Sequence, residues 1–261
     1  MSSNNSCACD FPSQPSSVVS ITMAPSVDSS LATKLLPGVL SLTAGSVDVI
    51  GFLGLGGLFT AHITGNLVVM AAHIVSGDPA SLAEILSVPV FVAVLGLTRV
   101  LAAALEALHV ASLGPLLILQ FLLLTAFLVL GVTADAPLDM TALSALAAGM
   151  MGVAAMAVQN ALVQVSLEGA PATAVMTSNI TRFVMDIGTI LLGRDSGEMS
   201  RARNRTKYSW QAMVGFAAGC ALGASCQAVF GLWSLVLPVV IGLFAVALGF
   251  AAMIDKGRWR H

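Results

Sequence analysis

Charged residues are scarce in this chain: Asp, Glu, Lys and Arg together make up 9% of its 261 residues. An average soluble domain has about 25% charged residues, so this sequence cannot cover the surface of a water-soluble domain of the same length. Its formal net charge is −2, and no extended basic stripe is interleaved with aromatic residues. Both features argue against a nucleic-acid partner.

Cysteines and catalytic motifs are also scarce. The four cysteines, Cys7, Cys9, Cys220 and Cys226, form neither a disulfide framework nor a zinc-ligand spacing. The chain contains no nucleophile elbow, no His-Glu-x-x-His and no paired intramembrane aspartates. We therefore expect no metal, no cofactor and no enzyme activity. An intramembrane enzyme acting on a lipid is the least favoured function because the sequence offers no nucleophile or metal set for it.

Long apolar runs are what the sequence does contain. Hydrophobic residues make up 57% of the chain, and its mean hydropathy is +0.94. Several runs exceed the roughly 18 residues that mark a membrane-spanning helix. The sequence therefore predicts an all-α protein, a polytopic bundle of transmembrane helices. Its expected partners are the lipid bilayer, an unknown small solute and, as a possibility, further copies of the chain.

Eight apolar segments follow a polar N-terminal tail, and six of them are long enough to cross about 30 Å of hydrocarbon. The second and sixth are short and interrupted by polar residues. If both cross, the protein has eight crossings in two parallel repeats of four; if neither crosses, it has six in two inverted repeats of three. The predicted limits are 36–58, 61–77, 85–108, 114–133, 140–164, 174–193, 208–231 and 234–254.

These segments divide the chain into two membrane repeats, predicted at 33–133 and 134–254, between a disordered tail at 1–32 and a short basic tail at 255–261. Basic residues mark the cytoplasmic side of a membrane protein. The basic loop 194–207 and both termini are therefore expected in the cytoplasm. Because no organelle signal is evident, the plasma membrane is the default location.

A duplicated polar motif lies in the two short segments. Thr64-Gly65-Asn66 in the first half corresponds to Thr177-Ser178-Asn179 in the second, about 113 residues later. Each copy follows an earlier polar group in apolar sequence, Asp48 in the first half and Gln159 with Asn160 in the second. Matching polar interruptions in two halves are the best sequence indication of a transporter binding site.

The candidate site residues come from these motifs and from charges inside apolar runs, where an ionisable group is costly unless it is paired, hydrated or used. The predicted substrate-binding residues are Asp48, Thr64, Asn66, Arg99, Asn160, Thr177, Asn179 and Arg182. The predicted proton-coupling residues are Asp48, His62 and Asp186.

The sequence also predicts specific contacts for these residues. Thr64 and Thr177 are expected to cap the helices that follow them. Arg182 and Asp186 are four residues apart and could form an ion pair on one helix face. Arg99 is expected either to neutralise Asp48 or to meet an anionic substrate. For Asn66 and Asn179, closure of the broken backbone and contact with substrate are equally good expectations.

Two stretches resemble a known family. Residues 45–52 (GSVDVIGF) with 59–66 (FTAHITGN), and residues 169–182 (GAPATAVMTSNITR), are similar to the paired motifs of the YoaK-like family of uncharacterised polytopic membrane proteins, DUF1275. The resemblance extends over about residues 35 to 254. It implies a polytopic protein with about six membrane spans. It implies no substrate or activity, because the family has none established.

Two functions follow from the sequence. The leading hypothesis is a secondary transporter, or permease, of a small polar or organic solute, with Asp48 or His62 exchanging a proton. The alternative is a non-transporting membrane scaffold or assembly factor, in which the same polar residues form hydrogen bonds between helices.

Overall fold

The described part of the chain is helical and contains no strand. The computed structural model describes residues 31–77, 81–133, 143–167, 169–193 and 195–258. The prediction of an all-α protein is therefore confirmed for these residues. The helices are α1 (Leu31–Gly54), α2 (Ile63–Ser76), α3 (Leu82–Ala107), α4 (Leu113–Thr133), α5 (Leu143–Ser166), α6 (Met176–Leu192), α7 (Ser196–Phe230) and α8 (Val236–Arg258), with a 3-10 turn (Gly231–Leu235) before α8.

Within the described ranges, five stretches are long and apolar enough to cross a membrane. They are α1, α3, α4, α5 and a 59-residue stretch, Ser196–Ile254, that contains α7, the 3-10 turn and most of α8. The two remaining helices, α2 and α6, have 14 and 17 residues. At 1.5 Å per residue they reach about 21 and 26 Å, which is less than the roughly 30 Å of the hydrocarbon core.

Two helices begin earlier than the sequence predicts. α1 already begins at Leu31, inside the predicted N-terminal tail, and α7 begins at Ser196 rather than at residue 208. The stretch 196–207, predicted as a loop, is therefore helical. Its N-terminus is capped by Asp195, whose carboxylate accepts the backbone N–H of Gly197 at 3.0 Å. The rest of the predicted tail, residues 1–30, lies outside the described residues.

Two apolar clusters define the ends of the bundle. One contains the second half of α1 and the first half of α5, with Ile50 and Met156 fully buried. The other contains the start of α1 and the end of α5, with Leu36 and Leu162 fully buried. We call the end where α1 starts face A and the end where α1 finishes face B. Because their order along the two helices is reversed, α1 and α5 are antiparallel.

The other long helices alternate between these faces. Gly114 of α4 contacts Met253 of α8, while Gly131 of α4 contacts Leu235 just before α8. α4 and α8 are therefore antiparallel. Since Leu116 of α4 belongs to the cluster at face A, α4 runs from face A to face B and α8 returns.

α1 and α7 are parallel and their backbones touch. Three glycines of α7, four residues apart, lie against successive turns of α1, and small residues at this spacing allow helices to pack closely. The contacts, in order, are Gly215 with Gly38, Gly219 with Leu42 and Gly223 with Ser46. This pair fixes the position of Asp48, which lies on α1 a short distance beyond the last of these contacts.

Candidate functional site

The carboxylate of Asp48 anchors the turn that precedes α2. Asp48 is 4% exposed. Its Oδ1 accepts the backbone N–H groups of Thr60 and Ala61, both at 2.8 Å. Its Oδ2 lies 2.6 Å from Nδ1 of His62. The sequence places polar groups before the break, and the structure shows the physical reason: the turn has free N–H groups that a buried carboxylate satisfies.

The turn itself depends on glycine. Gly56 and Gly57 have φ angles of 66° and 90°, which lie in the left-handed region that glycine adopts without strain. After α1 ends at Gly54, this turn sends residues 58–62 back beside α1. α2 therefore begins in the interior of the bundle and runs outward to face B, where it lies beside the start of α3.

His62 binds Asp48 and is the more exposed of the two side chains. It occupies the N-cap position of α2, and its side chain is 35% exposed, whereas that of Asp48 is 6% exposed. Its ring meets the ring of Phe216, on α7, edge to face at 5.3 Å between centroids. A half-exposed imidazole on a buried carboxylate links that carboxylate to the space outside it. We call these two residues the Asp48–His62 pair.

Asn66 and Asn179 close the two breaks in the same way. The side chain of Asn66 accepts the N–H of Phe59 at 2.9 Å and donates to the Phe59 carbonyl at 2.8 Å. It also donates to the hydroxyl of Ser87 at 2.9 Å. Asn179 donates to the carbonyl of Ala172, which also precedes it by seven residues. Both amides are buried and used by the protein's own backbone, which favours the closure role over substrate contact.

Gln159 anchors the second break. Its Nε2 donates to the hydroxyl of Thr173 at 2.8 Å and to the carbonyl of Leu40 at 2.9 Å. Its Oε1 accepts from Gln120 at 2.7 Å. Thr173 follows Thr60 by 113 residues, the same spacing that separates Asn66 from Asn179. The sequence reading noted Gln159 but did not place it in the site. The second break is thus anchored by an amide that carries no charge.

The expected threonine caps are wrong. Thr64 and Thr177 are exposed, and each is the second residue of its helix. The N-cap positions belong to His62 and Val175, and neither makes a side-chain cap hydrogen bond. Both helices begin earlier than expected because the anchored turns hold the chain in place up to residues 62 and 175.

The expected charge partners also differ. Asp186 is paired with Arg205 of α7 rather than with Arg182, and Nε of Arg205 lies 3.1 and 3.2 Å from the two carboxylate oxygens. Arg182 and Arg99 are exposed. Arg99 does not neutralise Asp48, because the turn before α2 and His62 occupy that carboxylate.

Asn160 is half-buried and donates to the carbonyl of Met156 in its own helix at 2.8 Å. It does not join the Asp48–His62 pair. Roles in substrate binding for Arg99, Asn160 and Arg182 stay predictions.

A second carboxylate–histidine pair was missed by the sequence reading. Glu84, in the first turn of α3, is 1% exposed, and its Oε2 lies 3.2 Å from Nδ1 of His73 near the end of α2. Ser81 and Glu84 form a capping box at the start of α3. The pattern Ser-x-x-Glu before an apolar run could have located this helix start, but it carries no information about His73 or about burial.

Metal chemistry finds no support in the described ranges, where no group of three or more His, Cys, Asp or Glu side chains comes together. The two acid–histidine pairs are separate and each contributes only two such groups. The contacts that the structure shows at the two pairs are hydrogen bonds between a carboxylate and a histidine.

The comparisons with known proteins place the chain in a family. The family described as protein of unknown function DUF1275 matches residues 36–248. The chain belongs to this family. It is also similar to the UPF0700 transmembrane protein YoaK of Bacillus subtilis (strain 168), with 56% identity over 39 residues. That match spans 15% of this chain and 17% of YoaK. No solved structure matches the chain. The prediction of the family, and of a membrane protein, is thus confirmed.

Proposed function

We propose that this protein is a secondary transporter, or permease, of a small polar or organic solute, and that Asp48 and His62 couple transport to a proton. The observation that carries the proposal is the half-exposed imidazole of His62 bound at 2.6 Å to a buried carboxylate. This pair lies where a short helix begins inside the bundle. An ionisable residue inside a membrane protein is costly and typically marks a substrate, ion or proton site.

In this proposal the two halves of the chain are inverted repeats with six crossings. The matched contacts of Asn66 and Asn179, each seven residues back, support the repeat. The antiparallel arrangement of α1 and α5, which are the first helices of the two halves, supports the inversion. The pairing of helices supports it further: α1 packs on α7 as α5 packs on α3, and α2 packs on α3 as α6 packs on α7.

The short helices fit half-helices that enter the membrane and leave by the same face. α2 begins near Asp48 and ends at face B, while α6 begins near Gln159 and ends at face A beside α7. Irregular backbone at membrane depth is tolerated only where protein or water satisfies it, and Asp48, Asn66 and Gln159 supply that satisfaction. The N-terminal end of α2 also directs its positive dipole inward.

The Asp48–His62 pair offers a route from proton binding to movement. An ionised carboxylate accepts hydrogen bonds more strongly than a neutral one. A proton delivered by His62 to Oδ2 of Asp48 therefore weakens the grip of Asp48 on Thr60 and Ala61. Loosening this turn would free the start of α2, and with it the wall of the solute site.

A second function, a non-transporting scaffold or assembly factor, is favoured by one observation. Asn66, Asn179 and Gln159 form interhelical or loop-closing hydrogen bonds within the protein. Substitution of Asn66 will therefore affect folding in either function and cannot separate the two. The separating residue is Asp48, because only a transporter needs it to titrate.

The test uses purified full-length protein in liposomes that contain a pH-sensitive dye. A library of small polar and organic solutes is added, and solute-driven proton movement is recorded. Wild-type protein and the control Asp195→Asn, the same chemical change at the exposed cap of α7, should move protons with a given solute. Asp48→Asn should not. Equal proton movement in Asp48→Asn would overturn the proton role, and no solute-dependent movement or binding in any protein would favour the scaffold.

A further inference from the structure

Glu84 is a buried carboxylate that the proposed transport site does not use. Its Oε2 accepts the backbone N–H of Ser81 at 3.3 Å and lies 3.2 Å from Nδ1 of His73. Its Oε1 is buried and has no hydrogen-bond partner among the described residues. A buried carboxylate oxygen without a partner is costly as an anion, and a proton on the carboxyl group removes most of that cost.

The capping box alone does not explain this arrangement. A glutamine at position 84 would also accept the N–H of Ser81, and it would bring no charge into the protein. Capping needs only one oxygen of Glu84 and needs neither burial nor a histidine. The second oxygen and His73, whose side chain is 35% exposed, are left for another role.

On the described helices that pack on α3, His73 is the ionisable residue placed beside Glu84. α2 contributes His73 as its one ionisable residue, and α5, which also packs on α3, has none. The other ionisable residues of α3, Arg99 and Glu106, lie fifteen and twenty-two residues further along the helix. At 1.5 Å per residue these positions are about 22 and 33 Å away. Among the described residues, His73 is therefore the ionisable group that faces Glu84.

The Glu84–His73 pair is joined to the first pair through one face of the α2–α3 contact. The hydroxyl of Ser87 donates to the backbone carbonyl of Glu84 at 2.7 Å, and it accepts from Asn66. Asn66 in turn binds the turn that Asp48 anchors. An amide does not release its protons, so Asn66 does not pass a proton between the two pairs. Its hydrogen bonds nevertheless join the turn before α2 to Ser87 on α3. Each pair can thus load a proton by itself, and both act on the same short helix.

The second half of the chain has a different device at the matching place. The position 113 residues after His73 is Asp186, and Asp186 pairs with Arg205 on α7. In the Glu84–His73 pair the short helix carries the base and the long helix the acid. In the Asp186–Arg205 pair the short helix carries the acid and the long helix the base. Arginine does not lose its proton in proteins, so Arg205 stays charged. Among the described residues, the carboxylate–histidine pairs belong to the first half.

We propose that Glu84 and His73 form a second proton-exchange site, loaded from face B, that controls the outer end of α2. Control of α2 by this site rests on the proposed transport function, whereas the proton transfer between His73 and Glu84 does not. Nε2 of His73 takes up a proton from the solution at face B, and the resulting imidazolium passes its Nδ1 proton to Oε2 of Glu84, which leaves a neutral imidazole protonated at Nε2 and a neutral carboxyl group. No bond other than those to the proton changes. The neutral carboxyl releases its charge-assisted hold on α2.

The first experiment follows protonation directly. Infrared difference spectra of the purified protein are recorded through a pH titration, with Glu84→Gln, His73→Gln and the control Asp186→Asn. Glu84→Gln keeps the acceptor of the capping box, so folding should be preserved. We expect a titrating carboxyl C=O band that is absent from Glu84→Gln, shifted in pH by His73→Gln and unchanged in Asp186→Asn. Identical bands in wild type and Glu84→Gln would overturn the proposal.

The second experiment separates this proposal from the proposed function. In liposomes, Glu84→Gln should still bind a transported solute in a thermal-shift assay, yet its pH profile of solute-driven proton uptake should differ from the wild-type profile. Retention of the wild-type pH profile by Glu84→Gln would contradict the role at α2. If wild type moves no solute, the transport function fails, and the infrared band alone decides whether the proton site exists.

Discussion

The turns that precede the two short helices are anchored by side chains of different chemistry in the two halves of this protein. In each half a long helix is followed by a turn back into the bundle and a short outward helix, and a buried polar side chain anchors that turn. The anchor is the carboxylate of Asp48 in the first half and the amide of Gln159 in the second. Because an uncharged amide anchors the second turn, the turn requires only a hydrogen-bonding side chain. A titratable anchor is additional, and it is confined to the first half together with both histidine pairs.

The helix contacts of the two halves also differ. α7 lies against α1 with backbone touching backbone, because glycines line the contact. The α5 side is different: Gly149 receives the side chain of Leu58, and Gly152 receives the ring of Phe127. Side chains have rotamer freedom and can shift, whereas a backbone carbonyl in a helix cannot. The α1–α7 contact is thus the less forgiving one, and it holds the helix that carries Asp48.

The largest effect is expected for Gly219→Ala. A methyl group at this position would overlap the carbonyl oxygen of Leu42 in α1. The helices must then separate, and we expect a loss of about 3 kcal/mol in the free energy of unfolding, the upper range for overpacking. The measurement is denaturant unfolding in detergent.

Gly96→Ala is the matched control because nothing lies within 4 Å of the added methyl group on α3. Alanine is the better helix former, so this variant should be neutral or stabilised by up to about 1 kcal/mol. Equal losses in both variants would show that the close α1–α7 contact does not set the sensitivity.

A smaller effect is expected for the two asparagines. Asn66→Ala removes three hydrogen bonds and Asn179→Ala removes one. Side-chain hydrogen bonds inside membrane proteins average about 0.6 kcal/mol each, so the expected losses are about 2 and about 0.6 kcal/mol. Thermal unfolding of the two variants side by side measures the difference. A larger loss for Asn179→Ala would mean that contacts of the second break outweigh those of the first.

The sequence predicts the helices well because apolar length is a local property. It also locates the two breaks, since Asn66 and Asn179 interrupt apolar sequence at matching positions. It does not reveal which apolar faces are buried: α3 and α5 are both apolar, yet α5 is mostly buried and α3 mostly exposed. That distinction depends on neighbours far away in the chain, which periodicity does not encode when every face is apolar.

The sequence does not predict the partners of the charged residues for a related reason. The spacing of four residues correctly places Arg182 near Asp186 on one helix, but α7 passes beside α6 and brings Arg205, nineteen residues away, into bidentate contact. The pairing of Glu84 with His73 likewise joins two helices. Such contacts depend on how helices pack, and a single sequence supplies only the candidates.

The central claim, that the two halves are inverted and that α2 and α6 return to the face from which they enter, is tested most directly by cysteine labelling. On a background in which the four natural cysteines are replaced by serine, single cysteines are placed at Ser76, the end of α2, and at Ser196, the start of α7; both positions are exposed. A membrane-impermeant maleimide is then applied to sealed vesicles of either orientation. The account predicts that the two cysteines react from opposite sides of the membrane. Reaction of both from the same side would mean that α2 and α6 cross, and it would contradict the inverted arrangement.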